Sequence, residues 1–237
     1  MSMISSCRIG ASIRIVRPMT HSLKLFRCAV RAVMVAAIGA TTVSAQRVDL
    51  GSVAKWRTVN RGVIAVRAGD TTIARFDERP GAGVAISPIA NFESGDIDVD
   101  ARGRDVLQKS FVGVVFHYAN DSTFETVWLR PFNYRSDDST RRVHAVQYAS
   151  YPAFPWQRLR AEHPGQFESA LVPPPRADEW VHLRVEVRGA HVRAFVNGNK
   201  VLDVESPASR KGGGIGLWVG DNSNGDFANL VVRKTGV

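Results

Sequence analysis

The chain has 237 residues, two cysteines and a formal net charge of +9, from 31 Lys and Arg against 22 Asp and Glu. Both cysteines (Cys7 and Cys28) and six of the basic residues (Arg8, Arg14, Arg17, Lys24, Arg27 and Arg31) precede position 46, so residues 46–237 carry 25 basic against 22 acidic residues, a net +3. That near-balance removes most support for nucleic-acid binding, and the absence of thiols after position 45 excludes disulfides, cysteine nucleophiles and cysteine metal sites there.

Residues 1–45 read as a signal peptide. Lys24, Arg27 and Arg31 precede an apolar run from Ala32 to Ala40, and Val43-Ser44-Ala45 sets small or apolar residues before a cleavage expected between Ala45 and Gln46. The first eighteen residues are long and basic for such a leader, and Met19 is an alternative start. The apolar run is about half the roughly twenty residues that a membrane span needs. The expectation is an exported protein, periplasmic or extracellular, with no stable membrane span after cleavage. Arg27 beside Cys28 argues against lipoprotein processing.

From residue 46 onward period-two alternation dominates, and helical periodicity is scarce. Strands are expected at 61–67, 71–76, 96–100, 111–118, 124–130 and 143–149. Turn pairs such as Pro80-Gly81, Ser94-Gly95 and Asn120-Asp121 separate most of them. A longer irregular region, 150–178, holds Pro152, Pro155, Pro164 and Pro173-Pro174-Pro175 and carries Tyr151, Phe154 and Trp156. Long loops within compact domains are often functional.

In the run 181–188, Val181, Leu183, Val185 and Val187 face one way while His182, Arg184, Glu186 and Arg188 face the other, which describes a sheet with one wet face. The segment 191–196, the turn Asn197-Gly198 and the return 200–204 form a hairpin. Strands at 214–219 and 227–233 close the chain. This many short strands with turn signals between them imply an all-β, antiparallel β-sandwich comprising one domain, 46–237.

The order of motifs carries a resemblance. The strand Gly95-Asp96-Ile97-Asp98-Val99-Asp100 precedes SFVGVVFHY and the RPFN and VQY segments. The hairpin with Trp180, LRVEV and VNG follows, then GGIGLWVG and GDFANLVV. The chain resembles the concanavalin A-like lectin/glucanase superfamily, in the region of laminin-G-like and 3-keto-disaccharide hydrolase-type domains, over nearly all of 50–234. The resemblance implies a jelly roll of two antiparallel sheets, one of them concave. It marks function poorly, because the superfamily includes sugar binders, glycan-cleaving enzymes and adhesion modules.

The central block offers the groups that hold a sugar, rings for its apolar face and planar polar groups for its hydroxyls. Thr126, Trp128 and Arg130 share a strand face expected to line the concave sheet, with Asn133 beyond the Pro131 break, while Val127 and Leu129 go to the core. The competing reading has Trp128 in the core and Arg130 paired with Glu125 or Asp100. Of Gln147 and Tyr148 only one can face the groove along a regular strand. Gln147 suits it better, and Tyr148 stays a substrate-binding candidate. Trp156 is expected on the rim. The sugar reading requires Trp128, Arg130, Gln147 and Trp156 to converge on one open groove; burial and mutual pairing would oppose it.

Catalytic candidates are weaker. Asp96, Asp98 and Asp100 share a strand face, with neighbours about 7 Å apart along the chain, and retaining glycosidases need carboxyl groups about 5 Å apart. The strand is similar to the G-E-x-D-x-x-E strand of laminarinase-type glucanases but departs from it, with Asp96 in the place of a Glu and Asp100 one residue early. A solvated outer face is the simpler reading. His117 and Glu168, the latter as a general acid pressed on Trp156, complete the set. Asp221 and Asp226 bracket an oxygen-rich turn that is a candidate for structural calcium, although its spacing matches no standard calcium loop. Two functions of different class follow: a secreted carbohydrate-binding domain, or a glycan-active hydrolase or lyase using some of Asp100, His117, Arg130 and Glu168. An adhesion or scaffold module is the third. The expected partner is an oligo- or polysaccharide.

Overall fold

Alternating apolar residues build two antiparallel sheets that face each other across the core. The structure, a computed structural model, describes residues 44–208 and 210–235. The leader reading therefore lies outside the described residues apart from Ser44 and Ala45.

The strands are β1 (Ser44–Arg47), β2 (Arg57–Val59), β3 (Val63–Ala68), β4 (Thr71–Phe76), β5 (Gly83–Ile86), β6 (Gly95–Arg102), β7 (Val112–Asn120) and β8 (Thr123–Leu129). After the helix α1 (Ser139–Arg142) come β9 (Val146–Tyr151), the helix α2 (Trp156–Glu162), β10 (Glu168–Ser169), β11 (Val181–Arg188), β12 (His191–Val196), β13 (Asn199–Glu205), β14 (Gly214–Val219) and β15 (Gly225–Lys234). One sheet runs β13-β12-β11-β6-β15-β4-β3, with β1 also on β15; the other runs β10-β9-β8-β7-β14-β5-β2. Ser44 pairs with Lys234 and Ala45 with Arg233, so cleavage after Ala45 would shorten β1 to its last two residues.

The core lies between the sheets. Val112, Val114, Val127, Leu129, Ile215 and Leu217 come from the seven-stranded sheet; Ile97, Val99, Leu183, Val185, Val192 and Val232 come from the other, all of them buried. Burial of side chains of this kind is worth about 1.5–3 kcal/mol each and is the main force holding the sandwich. On the outer face of the larger sheet the expected acidic row becomes a cross-strand ion-pair ladder. Asp96 accepts from Arg184 (3.0 Å) and Arg188 (2.6 Å), and Asp98 is paired with Arg233 and with His182 (3.1 Å).

Four strands fall outside the expected set: β1, β2, β5 and β10 are two to four residues long, too short for alternation to register. The expected strand at 143–149 starts later. Residues 143–145 close the turn after α1, which Asp138 caps by accepting from the Thr140 N–H at 2.8 Å. The region expected to be irregular holds α2, whose only buried residue is Leu159, so it carries no apolar stripe for a periodic reading to find.

Candidate functional site: an aromatic and cationic cavity on the seven-stranded sheet

One row of cross-strand neighbours crosses the outer face of the seven-stranded sheet: Val84, Trp218, Gly113, Trp128, Gln147 and Glu168, on β5, β14, β7, β8, β9 and β10. Gly113 stands between the two tryptophans and has no side chain to separate them. Their rings meet at 5.2 Å between centroids, inclined by 39°. A Cβ on Gly113 would lie 2.2 Å from the Val127 carbonyl oxygen and 2.6 Å from Trp128 Cα, so only glycine permits this approach. Over the pair opens a cavity of about 700 Å³, bordered also by Phe111, Arg130, Tyr151, Trp156 and Arg160.

Arg130, one row further along, is the charged centre of this cavity. Its side chain is 6% exposed. Nη1 donates to the His144 carbonyl at 2.9 Å and Nη2 to Gln147 Oε1 at 3.2 Å. Its Cζ lies 5.3 Å from the Trp128 ring centroid, 5.7 Å from Trp156 and 5.8 Å from Phe111. Burial, and then the neighbouring Arg160, lower its pKa to about 10, so it stays charged at neutral pH. The ion pairs expected as its alternative partners do not form. Glu125 is bonded to His117, and Asp100 belongs to the other sheet.

Of the four residues expected to converge, Trp128, Arg130 and Trp156 border the cavity. Gln147 does not reach it. It is fully buried beneath Arg130 and donates to the Tyr148 and Phe167 carbonyls, both at 3.0 Å. The pairing that would oppose an open groove is thus confined to Gln147 and one edge of Arg130. Asn133 borders the cavity and donates to the His144 carbonyl at 3.3 Å; its Oδ1, like Trp128 Nε1, is a buried atom with no protein partner. Tyr148 faces the core, where its hydroxyl donates to Glu125 and lies 2.7 Å from Ser206 Oγ, so it does not contribute to the groove.

The catalytic candidates lie elsewhere. Asp100 is on the outer face of the eight-stranded sheet, bonded to His182 Nδ1 (2.8 Å) and Asn229 (2.7 Å), far from the cavity in topology. Strand parity sets His117 opposite Val112, Val114 and Phe116, which would put it on the groove side. A β-bulge between Phe116 and Asn120 and a φ of 48° instead turn it to Glu125, with Nδ1 2.9 Å from Oε1 and Nε2 2.9 Å from the Glu93 carbonyl. Glu168 is held by Arg160, Nη2 to Oε2 at 2.6 Å and Nε at 3.0 Å, and it is Arg160 that stacks on Trp156, at 4.7 Å. Asp221 borders the cavity but accepts from the Gly81 N–H (2.5 Å) and Asn222 Nδ2 (2.9 Å). Asp226 is bound by Arg75 (2.8 Å) and Arg102 (2.6 Å). Asp226 is thus matched by two guanidinium groups, and the described residues hold no group of three or more His, Cys, Asp or Glu suited to a metal.

Trp218, Arg160 and His144 are among the cavity residues that the sequence reading missed. Trp218 was legible, since Ile215, Leu217 and Val219 are core and parity sends Trp218 outward. Arg160 rests on the unexpected helix α2. His144 sits in the turn before β9, with Nδ1 2.7 Å from Glu168 Oε2 at an angle outside hydrogen-bond geometry. Burial lowers the His144 pKa, with Glu168 acting upward and Arg160 downward, so its imidazole is neutral at pH 7. Burial also raises the Tyr151 phenol to about 12, leaving a neutral hydroxyl on the rim.

Among solved structures, the chain is similar to the carbohydrate-binding module CBM66 from Bacillus subtilis, at 15% identity and TM-score 0.57, over 76% of this chain and 95% of that one. It is similar to a putative glycosyl hydrolase from Parabacteroides distasonis at 13% identity and TM-score 0.52, over 81% and 99%. A third is the VIP36 exoplasmic/lumenal domain bound to Ca²⁺ and Man3GlcNAc, at 10% identity and TM-score 0.51, over 79% and 85%. These likenesses establish the concanavalin A-like jelly roll. No curated protein matches the sequence. Residues 48–233 match the family model of the 3-keto-alpha-glucoside-1,2-lyase-like domain, and the chain belongs to that family.

Proposed function

We propose that the cavity on the seven-stranded sheet is a saccharide site and that the protein, exported by its leader, holds a glycan there. The observation that carries this reading is the Trp128–Trp218 pair beside Arg130: two rings in contact offer a platform for a sugar's apolar face, and a guanidinium with unused N–H groups borders it. The saccharide ligands of CBM66-type and VIP36-type neighbours are consistent with it. Isothermal titration against a panel of oligosaccharides tests it. Trp218→Ala should lower the affinity of any ligand found by at least about tenfold, the effect of losing roughly 1.4 kcal/mol of stacking. Unchanged affinity in a folded Trp218→Ala protein would refute it.

A second reading, that the same site acts as a lyase on a 3-keto-glucoside, is favoured by the neutral His144 on the cavity wall together with the family assignment. Elimination next to a C3 ketone removes the C2 proton, breaks the C1–O bond and returns a proton to the departing oxygen. His144 has the protonation state of a base at neutral pH, and Arg130 and Arg160 supply positive charge for the oxygen that becomes an enolate. The two opposed carboxylates of a glycosidase are not found among the described lining residues, where Asp221 is the one acid. Incubation with a 3-keto-α-glucoside, followed by enone absorbance, separates binder from lyase. Turnover that survives in folded His144→Ala and Arg130→Ala variants would exclude this assignment of roles.

A further inference from the structure

We propose that the saccharide taken by this cavity carries an acidic group, a uronate carboxylate or a sulfate, which seats on Arg130. This rests on the saccharide reading above and adds the ligand's charge to it. Arg130 is a buried cation for which the described residues provide no counter-ion. The carboxylate that acts on it, Glu168, is already taken by Arg160 through three contacts of 2.6–3.1 Å. Gln147 and the His144 carbonyl occupy one N–H each of a group that has five to donate. A buried charge without a partner is costly to keep, and where it borders a cavity the missing partner is the ligand.

The surroundings are those that strengthen such a pair. Phe111, Trp128 and Trp156 surround the guanidinium, so an anion arriving there leaves water for an environment in which charge interacts strongly. An anion seated there would offset the effect of the burial that depresses the Arg130 pKa. Asp221, the acid on the cavity border, is engaged by Gly81 and Asn222 and is not among the groups that act on Arg130. A second cavity, of about 990 Å³, shares Phe132 and Arg141 with the first and adds Arg104, Arg135 and Arg176 among four aspartates. Its four arginines are balanced by its four aspartates, so the acidic preference rests on Arg130 alone.

The test is an array of matched oligosaccharides read by titration with the full chain: uronates beside their carboxyl-reduced counterparts, and sulfated glycans beside desulfated ones. Acidic members should bind at least about tenfold tighter than their neutral partners, and the pair showing the difference identifies carboxylate or sulfate. Methyl esterification of the best uronate, or desulfation of the best sulfated glycan, should abolish that advantage using the unaltered protein. Arg130→Gln should remove it too. Neutral members binding as tightly as acidic ones would overturn the charge assignment and leave the saccharide site standing. No binding anywhere on the array would overturn both. An advantage that survives in Arg130→Gln would move the anion away from Arg130 and overturn the proposal.

Discussion

Trp128 and Trp218 belong to strands that do not touch, yet their rings are in contact, because the strand between them carries Gly113 at the matching position. The groove platform is therefore a property of three residues in one row, and the glycine is as necessary to it as the rings.

Gly113→Ala should accordingly be costly out of proportion to one methyl group. The added Cβ falls 2.6 Å from Trp128 Cα and 2.2 Å from the Val127 oxygen, both backbone atoms, so β7 and β8 must separate. Overpacking of this kind costs about 1–3 kcal/mol. Urea denaturation should show that loss, and near-ultraviolet circular dichroism should show the two indoles moving apart. A variant with wild-type stability and an unchanged aromatic spectrum would mean that the strands have room that the structure does not show.

The buried set His117, Glu125 and Tyr148 supports the sandwich and not the cavity. Nε2 of His117 faces a carbonyl and must donate, so a single proton lies between Nδ1 and Glu125 Oε1. Burial, and then Glu125, raise the Tyr148 pKa, keeping its hydroxyl as a donor to the same carboxyl group. Glu125→Ala strands two buried polar groups at once. Removing one member of a buried pair costs about 3–5 kcal/mol, and the variant should show this in denaturant while whatever remains folded retains its ligand affinity. Loss of affinity in the folded fraction would return His117 and Glu125 to the site.

Legibility in the sequence followed the length and regularity of the elements. Period-two runs such as Val181–Arg188 and Thr123–Leu129 announced both the sandwich and the side each residue takes, and the second, continued to Arg130, placed Trp128 and Arg130 on one face. Parity failed where the backbone departs from a regular strand. His117 sits in a bulge with a left-handed φ, and His144 in a turn that the sequence presents as strand. Gln147 shows a different limit. Its side was read correctly, but its burial depends on α2 and Arg160 covering it, and nothing local in VQY announces them. The free state of Arg130 was equally hidden, because it depends on Glu168 being claimed by a residue eight positions earlier.

Asp226 gives the acid side of the stability profile a specific contributor. Burial alone would raise its carboxyl; the bonds from Arg75 and Arg102 outweigh that and hold it below the usual carboxylate range. A depressed folded pKa stabilises the protein at every pH above the unfolded value of about 3.9, and the contribution fades as pH falls through the folded value. Asp226→Asn should therefore cost about 1 kcal/mol at pH 7, and the gap from wild type should close below about pH 4. Urea titrations of both proteins from pH 3 to pH 7 check this, and a gap that is constant to pH 3 would show that the carboxylate charge is not what Arg75 and Arg102 stabilise.

His144 titrates in the opposite part of the range and reports on the cavity wall itself. Its folded pKa is lowered chiefly by burial, against the pull of Glu168, so the folded protein prefers the neutral ring. The resulting stability is present above the unfolded pKa of about 6.5 and is lost as pH falls through the lower folded value. His144→Gln keeps a planar polar side chain that does not titrate. Between pH 7 and pH 5 wild type should lose more stability than this variant, and the difference should appear below pH 6.5. If the site is a lyase, turnover should decline over the same interval as the base becomes protonated, and His144→Gln should be inactive at both ends. An imidazole nitrogen resonance that titrates at or above the ordinary histidine value would contradict both effects, since it would mean that Glu168 outweighs burial and that the ring meets the ligand already charged.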